Sequence, residues 1–172
     1  WSCGDGLLGT VSILMVVEAP VKPAHGACCR ERITAVPTPS VLYVCVKNGG
    51  KSQMAAALMR QVAGDRIAVH SAGTEPGREL NALSVQVLAE VGASTVGEYP
   101  KPIDPQLLRQ GDLVVTLGRE AQVGAAVAVA NWDTDEPSER GIDGVERMRL
   151  IRDDIAGRVE VLAAQLLDTP TP

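Results

Sequence analysis

Chemistry in this chain gathers in one short stretch, Cys45-Val46-Lys47-Asn48-Gly49-Gly50-Lys51-Ser52. A thiol is the most nucleophilic ordinary side chain. Two adjacent glycines let the backbone after it curl, so that successive N–H groups converge on one point. A helix starting at Lys51 would add its own unpaired N–H groups and the positive end of its dipole. Such a cradle suits a tetrahedral oxyanion such as phosphate or arsenate, and it would hold a thiol at its lip as the nucleophilic thiolate. Val46, Lys47, Asn48, Gly49 and Gly50 are thus the candidate oxyanion-binding residues, with Cys45, Lys51 and Ser52 at the reacting end. Asn48 has the residue type that tolerates a left-handed bend, and Lys47 is either an anion guide or only solvated.

These residues need a strand before them and a helix behind. Residues 41–46 are a short apolar, β-branched run that stops at Lys47, as a buried strand does when it meets a tight turn. Residues 51–63 contain no Gly or Pro and many strong helix formers, with Met54, Leu58 and Val62 predicted on the inner face. Further strands are expected over 67–73, 113–118 and 127–132. A helix is expected over 81–91 with Ala82, Val85 and Leu88 inward. A long final helix is expected over 142–167, its apolar residues recurring every third or fourth position from Ile142 to Leu166. Strands apolar on both faces, alternating with helices, predict an α/β three-layer sandwich around a central four-stranded parallel sheet.

The first 40 residues read differently. Residues 6–17 are apolar but too short to span a bilayer, and Pro20, Pro23, Pro37 and Pro39 punctuate the stretch after them. Residues 1–40 are therefore an apolar segment and a Pro-rich linker, and 41–172 the functional domain. The chain begins with Trp1, which fits a piece of a longer parent, such as one with a membrane permease fused upstream. His25, Cys28 and Cys29 make a poor metal set, since two of the cysteines are adjacent; no metal site is expected. All four cysteines, Cys3, Cys28, Cys29 and Cys45, lie in the first 45 residues. That distribution suits a cytoplasmic chain with reduced thiols better than a disulfide-stapled one. The net charge of −5 falls wholly on residues 41–172, because the first 40 hold three bases and three acids. With two Trp, two Tyr and no Phe, the chain has no basic-aromatic surface for nucleic acid.

Two motifs compete for the loop. Gly50-Lys51-Ser52 ends as a nucleotide-binding loop would, but Cys45 stands where the first glycine belongs, and Leu113–Leu117 leads into Gly118 rather than a Mg²⁺-binding Asp. The other motif is Cys-x5-Arg-Ser/Thr with Lys51 at the arginine position. Val41–Val46, Asn48–Ala56, His70–Thr74, Pro100-Lys101-Pro102, Trp132 and Glu136-Pro137 occur in that order. Together they make residues 41–168 resemble the low-molecular-weight tyrosine phosphatase family, specifically its arsenate reductase branch. The Gly-Gly-Lys loop resembles that of actinobacterial reductases that use mycothiol.

The resemblance implies an enzyme that reduces arsenate through Cys45, with no bound cofactor, mycothiol as co-substrate and a mycoredoxin-like protein as partner. It places a general acid immediately before the proline, hence Glu136, with Asp135 beside it as the other candidate. Two departures count against phosphotyrosine hydrolysis. Lys51 is a point charge where arginine would grip an oxyanion with two prongs, and no aromatic residue follows Pro137. Family members coupled to thioredoxin carry two further cysteines downstream, whereas none follows Cys45. A phosphate-monoester hydrolase, and a silent anion-binding domain fused to an arsenite permease, are the competing readings. His70 is expected to be structural, and Trp132 a core or pocket wall.

Overall fold

The structure is a computed structural model, and it describes residues 38–168 apart from residue 125. The apolar segment, the bulk of the linker, Cys3, His25, Cys28 and Cys29, with the permease reading attached to them, lie outside the described residues.

Four strands form one parallel sheet: β1 (Ser40–Cys45), β2 (Ala68–Gly73), β3 (Leu113–Leu117) and β4 (Ala128–Trp132), in the spatial order β2-β1-β3-β4. Four α-helices accompany them: α1 (Lys51–Ala63), α2 (Ala82–Glu90), α3 (Leu107–Gln110) and α4 (Gly144–Asp168). β1 starts one residue before the expected boundary because Ser40 anchors it. The Ser40 backbone N–H and hydroxyl donate to Asp112 Oδ2 at 2.7 and 2.9 Å, and the Asp112 N–H returns a bond to Ser40 Oγ at 3.0 Å.

The period of two along β1 divides the interior into two cores. Val41, Tyr43 and Cys45 face α1, α2 and α4, meeting Met54, Met59, Leu88, Ile151, Ile155 and Val159. Leu42, Val44 and Val114 face the other way, toward Ile103, Leu107, Leu108, Val123 and Val127. The expected sandwich is therefore present, with β1 buried along five of its six residues. Trp132 belongs to the larger core, its ring 5.6 Å from that of Tyr43 at 51°.

Several local expectations are corrected. β4 is an exposed edge strand rather than one apolar on two covered faces, with Val129 47% exposed; Asn131 on it donates to Thr116 Oγ1 at 2.8 Å. Val62 is 41% exposed, and in the last turn of α1 it is Ala63 that is buried instead. In α2 the buried residues are Ser84, Val87 and Leu88, while Ala82 is exposed. The cap sets that rotation, since Asn81 Oδ1 accepts from the Ser84 N–H at 3.0 Å and its hydroxyl at 3.3 Å, drawing Ser84 inward. Ile142 precedes the last helix, which begins at Gly144; Gly141 and Gly144 both have positive φ (75° and 64°). Four residues are too few for a periodicity to announce α3.

Candidate active site

β1, β3 and β4 all end at one edge of the sheet, where parallel α/β folds bind ligands. A cleft of about 620 Å³ opens there, lined by Cys45, Val46, Lys47 and Lys51 on one side. Leu117–Glu120 follow β3, and Asp133–Glu136 follow β4, on the other sides.

Backbone hydrogen bonds shape the cradle. Thr74 N–H donates to Cys45 O at 3.1 Å, Glu75 N–H to Val46 O at 2.8 Å, Gly77 N–H to Lys47 O at 2.9 Å and Asn81 N–H to Gly49 O at 2.7 Å. Four loop carbonyls are thus turned outward. In a trans peptide the following N–H points the opposite way, so the N–H groups of Val46, Lys47, Asn48 and Gly50 turn inward. One of them is seen doing so, the Asn48 N–H lying 3.2 Å from Cys45 Sγ. α1 begins at Gly50 with no side-chain cap and no acidic residue in its first turn, leaving its first N–H groups to the concavity. Gly73 permits the close approach of β2: a Cβ there would stand 2.7 Å from Val46 O and 3.0 Å from Asn48.

Asn48 is the hub behind the loop. It has φ 48° and no exposed surface, so the left-handed bend expected of it is present. Its Oδ1 accepts from the Lys101 backbone N–H at 2.9 Å and from Gln53 Nε2 at 3.2 Å, and its Nδ2 donates to Ser52 Oγ at 2.9 Å. That last bond fixes the Ser52 hydroxyl, which lies 3.0 Å from Cys45 Sγ, within hydrogen-bond reach. Cys45 is 8% exposed and has the Asn48 N–H and the Ser52 hydroxyl within 3.2 Å of its sulfur.

The remaining candidates divide. Lys51 and Glu136 are brought together across the cleft, Nζ to Oε2 at 3.0 Å, with side chains 24% and 30% exposed. Lys47 borders the cleft but is paired with Glu75 at 2.9 Å, both well exposed. Asp135 forms a two-pronged pair with Arg140 at 2.7 and 2.6 Å, and that bond lowers its pKa. Burial works to raise the pKa of Glu136, but bonds from Arg147, Lys51 and Ser138 outweigh it and leave it lowered. Both candidate acids are therefore biased toward the carboxylate form. His70 sits on edge strand β2, its pKa lowered by burial and by the charges of Arg60 and Lys101; it does not line the cleft.

Sequence reasoning missed Gln53 and Lys101 behind the loop, Arg119 on the cleft wall, and Arg147. Arg147 had a visible signal: an arginine in the first turn of α4, where the helix dipole disfavours a cation. Among the described residues no group of three or more His, Cys, Asp or Glu could hold a metal, and no helix is long and apolar enough to cross a membrane.

A buried cysteine sulfur in a cage of inward N–H groups, at the carboxyl edge of a four-stranded parallel sheet, has the geometry of an oxyanion cradle. The chain belongs to the low molecular weight phosphotyrosine protein phosphatase family, whose model matches residues 40–169. An arsenate reductase of Halalkalibacterium halodurans is 31% identical over 131 residues, covering 72% of this chain and 94% of that protein. Among solved structures, the Corynebacterium glutamicum thioredoxin-dependent arsenate reductase superposes with a TM-score of 0.63 at 31% identity over 77% of this chain. This chain spans 63% of the length of that structure. An arsenate reductase in the phosphate binding state gives 0.64 at 26% identity, covering 74% of this chain and 98% of its own.

Proposed function

We propose that the protein reduces arsenate, with Cys45 as its single nucleophile and an external low-molecular-weight thiol, mycothiol, completing turnover in the cytoplasm. The observation that carries the reading is the cradle itself, a sulfur that accepts from the Asn48 N–H and contacts the Ser52 hydroxyl at the focus of inward-turned backbone N–H groups, in a chain whose relatives include arsenate reductases.

Cys45 thiolate attacks arsenic, forming an S–As bond as one As–O bond breaks, and the oxygen leaves as water. Val46 to Gly50 hold the other oxygens through their backbones, Lys51 neutralises charge and Ser52 steadies the sulfur. Glu136, a carboxylate at rest, takes up a proton carried by the arsenate and passes it to the departing oxygen. The external thiolate then attacks arsenic, freeing Cys45 and releasing a thiol–arsenate adduct. Arsenic is reduced on that adduct: a second thiol, from a mycoredoxin-like protein, attacks the donor sulfur, forms a disulfide and leaves two electrons on arsenic as arsenite. The absence of any cysteine after Cys45 supports an external donor over an internal relay.

The test is arsenate reduction with mycothiol and mycoredoxin, against thioredoxin and against glutathione with glutaredoxin, with Cys45→Ser as control. Turnover only with mycothiol plus mycoredoxin, abolished in Cys45→Ser, is expected. Turnover with thioredoxin that fails when Cys28 and Cys29 are both replaced by Ser would establish an internal relay instead. The family model favours a second reading, hydrolysis of phosphate monoesters; rapid cleavage of an aryl phosphate without arsenate turnover would select it.

A further inference from the structure

We propose that Arg147 is a positioning residue that keeps Glu136 a carboxylate while Lys51 is handed from Glu136 to the incoming oxyanion. The inference rests on the oxyanion-cradle reading above and adds to it a residue outside the motif.

The two oxygens of Glu136 have different company. Oε2 faces Lys51 Nζ at 3.0 Å. Oε1 accepts from Arg147 Nε at 2.9 Å, from Arg147 Nη2, and from Ser138 Oγ at 3.1 Å. One side of the carboxylate is therefore fastened to α4 and to its own turn, while the other is held by the residue that begins α1. Lys51 cannot serve two anions equally. When an oxyanion enters the cradle, its charge draws Lys51, and Oε2 loses its partner. A carboxylate only 30% exposed, left beside a dianion without a counter-charge, would take up a proton. Arg147 supplies the counter-charge that does not move with the ligand. It reaches Glu136 from the first turn of α4, a costly place for a cation by the helix dipole, and the pair with Glu136 offsets that cost.

Other charged and titratable groups line the same cleft. Asp133, Asp135 and Glu139 belong to the segment of Glu136, Arg119 and Glu120 follow β3, and Cys45 and Lys47 belong to the loop after β1. Asp133 is bound by Arg119 at 2.5 Å and Asp135 by Arg140, so neither arginine is placed to replace Arg147 at Oε1.

The experiment counts protons. Sulfate is the probe, a tetrahedral dianion that does not titrate near neutrality, and Cys45→Ser removes the thiol as a proton acceptor. Titration calorimetry near pH 6 in buffers of differing ionisation enthalpy gives the protons taken up per sulfate bound. Uptake close to zero is expected with Arg147 present, rising by about half a proton or more in Arg147→Gln. The extra uptake should vanish when Glu136→Gln is added, and Arg147→Lys should restore the low value. A merely structural role would move stability but not this count. Equal counts with and without Arg147, or an extra proton that survives Glu136→Gln, would overturn the proposal. The ¹³C carboxyl shift of Glu136 with Arg147 intact gives a check that needs no Arg147 variant: it must stay that of a carboxylate at saturating sulfate, and a protonated shift overturns the proposal. Sulfate failing to bind would sink the cradle reading and this inference together. A lack of arsenate turnover with the expected proton counts would sink only the assigned reaction.

Discussion

The two walls of the cleft are built on different principles. The Cys45–Ser52 wall is a backbone object: four of its carbonyls are bound by N–H groups of residues 74–81, and Asn48 is sealed behind it. The Asp133–Arg140 wall is a side-chain object. Asp133, Asp135 and Glu136 are each met by an arginine from a different place, Arg119 after β3, Arg140 in the following turn and Arg147 on α4. A backbone wall fixes where oxyanion oxygens sit and has little freedom to adjust. A wall of ion pairs sets charge, and it can exchange partners as a ligand arrives.

The sharpest way to break the comparison is to remove the hub of the first wall. Asn48→Ala deletes one donor and one doubly used acceptor, leaves Gln53 Nε2 only its bond to Tyr99 O, strands the Lys101 N–H, takes the donor from the buried Ser52 hydroxyl, and puts a Cβ-only residue at φ 48°. Each stranded buried group costs about 1–3 kcal/mol, so a loss of about 3 kcal/mol or more is expected in urea unfolding, together with loss of sulfate binding. Gly73→Ala attacks the same wall from β2 through its 2.7 Å approach to Val46 O. It should also lower the urea midpoint. A stable, sulfate-binding Asn48→Ala would show that the loop does not depend on its hub.

Lys51 joins the two walls, and its removal comes next in size. Lys51→Ala strips one charged donor from the bound oxyanion, an interaction of about 1.5–3 kcal/mol. Sulfate should bind about 10- to 100-fold more weakly by calorimetry, while the unfolding midpoint changes little. Unchanged affinity would mean that the backbone alone holds the anion.

The same division explains how much is legible in the sequence. Cys45, Asn48 and Ser52 are read from local spacing, because a strand, a glycine turn and a helix must succeed one another to place them. The sheet is announced by β-branched runs of five or six residues, and its buried strand β1 is readable almost to the residue. The features that escape are fixed at long range. The α2 face is set by the Asn81 cap rather than by its Ala82-Val85-Leu88 stripe. Nothing local to β4 tells that it is an edge. Arg147 lies 11 residues from Glu136 and on another element, and only its unfavourable place in a helix marks it. Glu136 can be found, but its ionisation state depends on Arg147 and Lys51 and so cannot be read from Glu136-Pro137.

Acid titration gives a graded test of the second wall. Glu136 has its pKa lowered in the folded state, and so has Glu98 beside Arg60 and Lys101. A carboxyl lowered by folding contributes stability that is fully present above its unfolded value, 4.5 for both, and is lost as pH falls through the folded value. Stability should therefore decline below about pH 4.5. In Arg147→Gln the share of the Glu136 contribution that Arg147 supplies should be missing at neutral pH while that of Lys51 and Ser138 remains, so the acid decline should be shallower. Parallel curves for the two proteins would mean that Arg147 does not hold Glu136 in the folded state.

The smallest effect is expected at the outer rim, where geometry alone would suggest a large one. Arg119 meets Asp133 through two donors at 3.0 and 2.5 Å, closer than Lys51 meets Glu136. Its side chain is nonetheless 82% exposed and that of Asp133 57%. Water and salt screen such a pair, and two mobile side chains must be ordered to make it. Arg119→Ala should leave the urea midpoint unchanged within error and should shift sulfate affinity slightly at low salt, with no difference at high salt. A salt-insensitive loss of affinity in Arg119→Ala would place Arg119 among the groups that touch the anion, and would extend the backbone-held site to a third element.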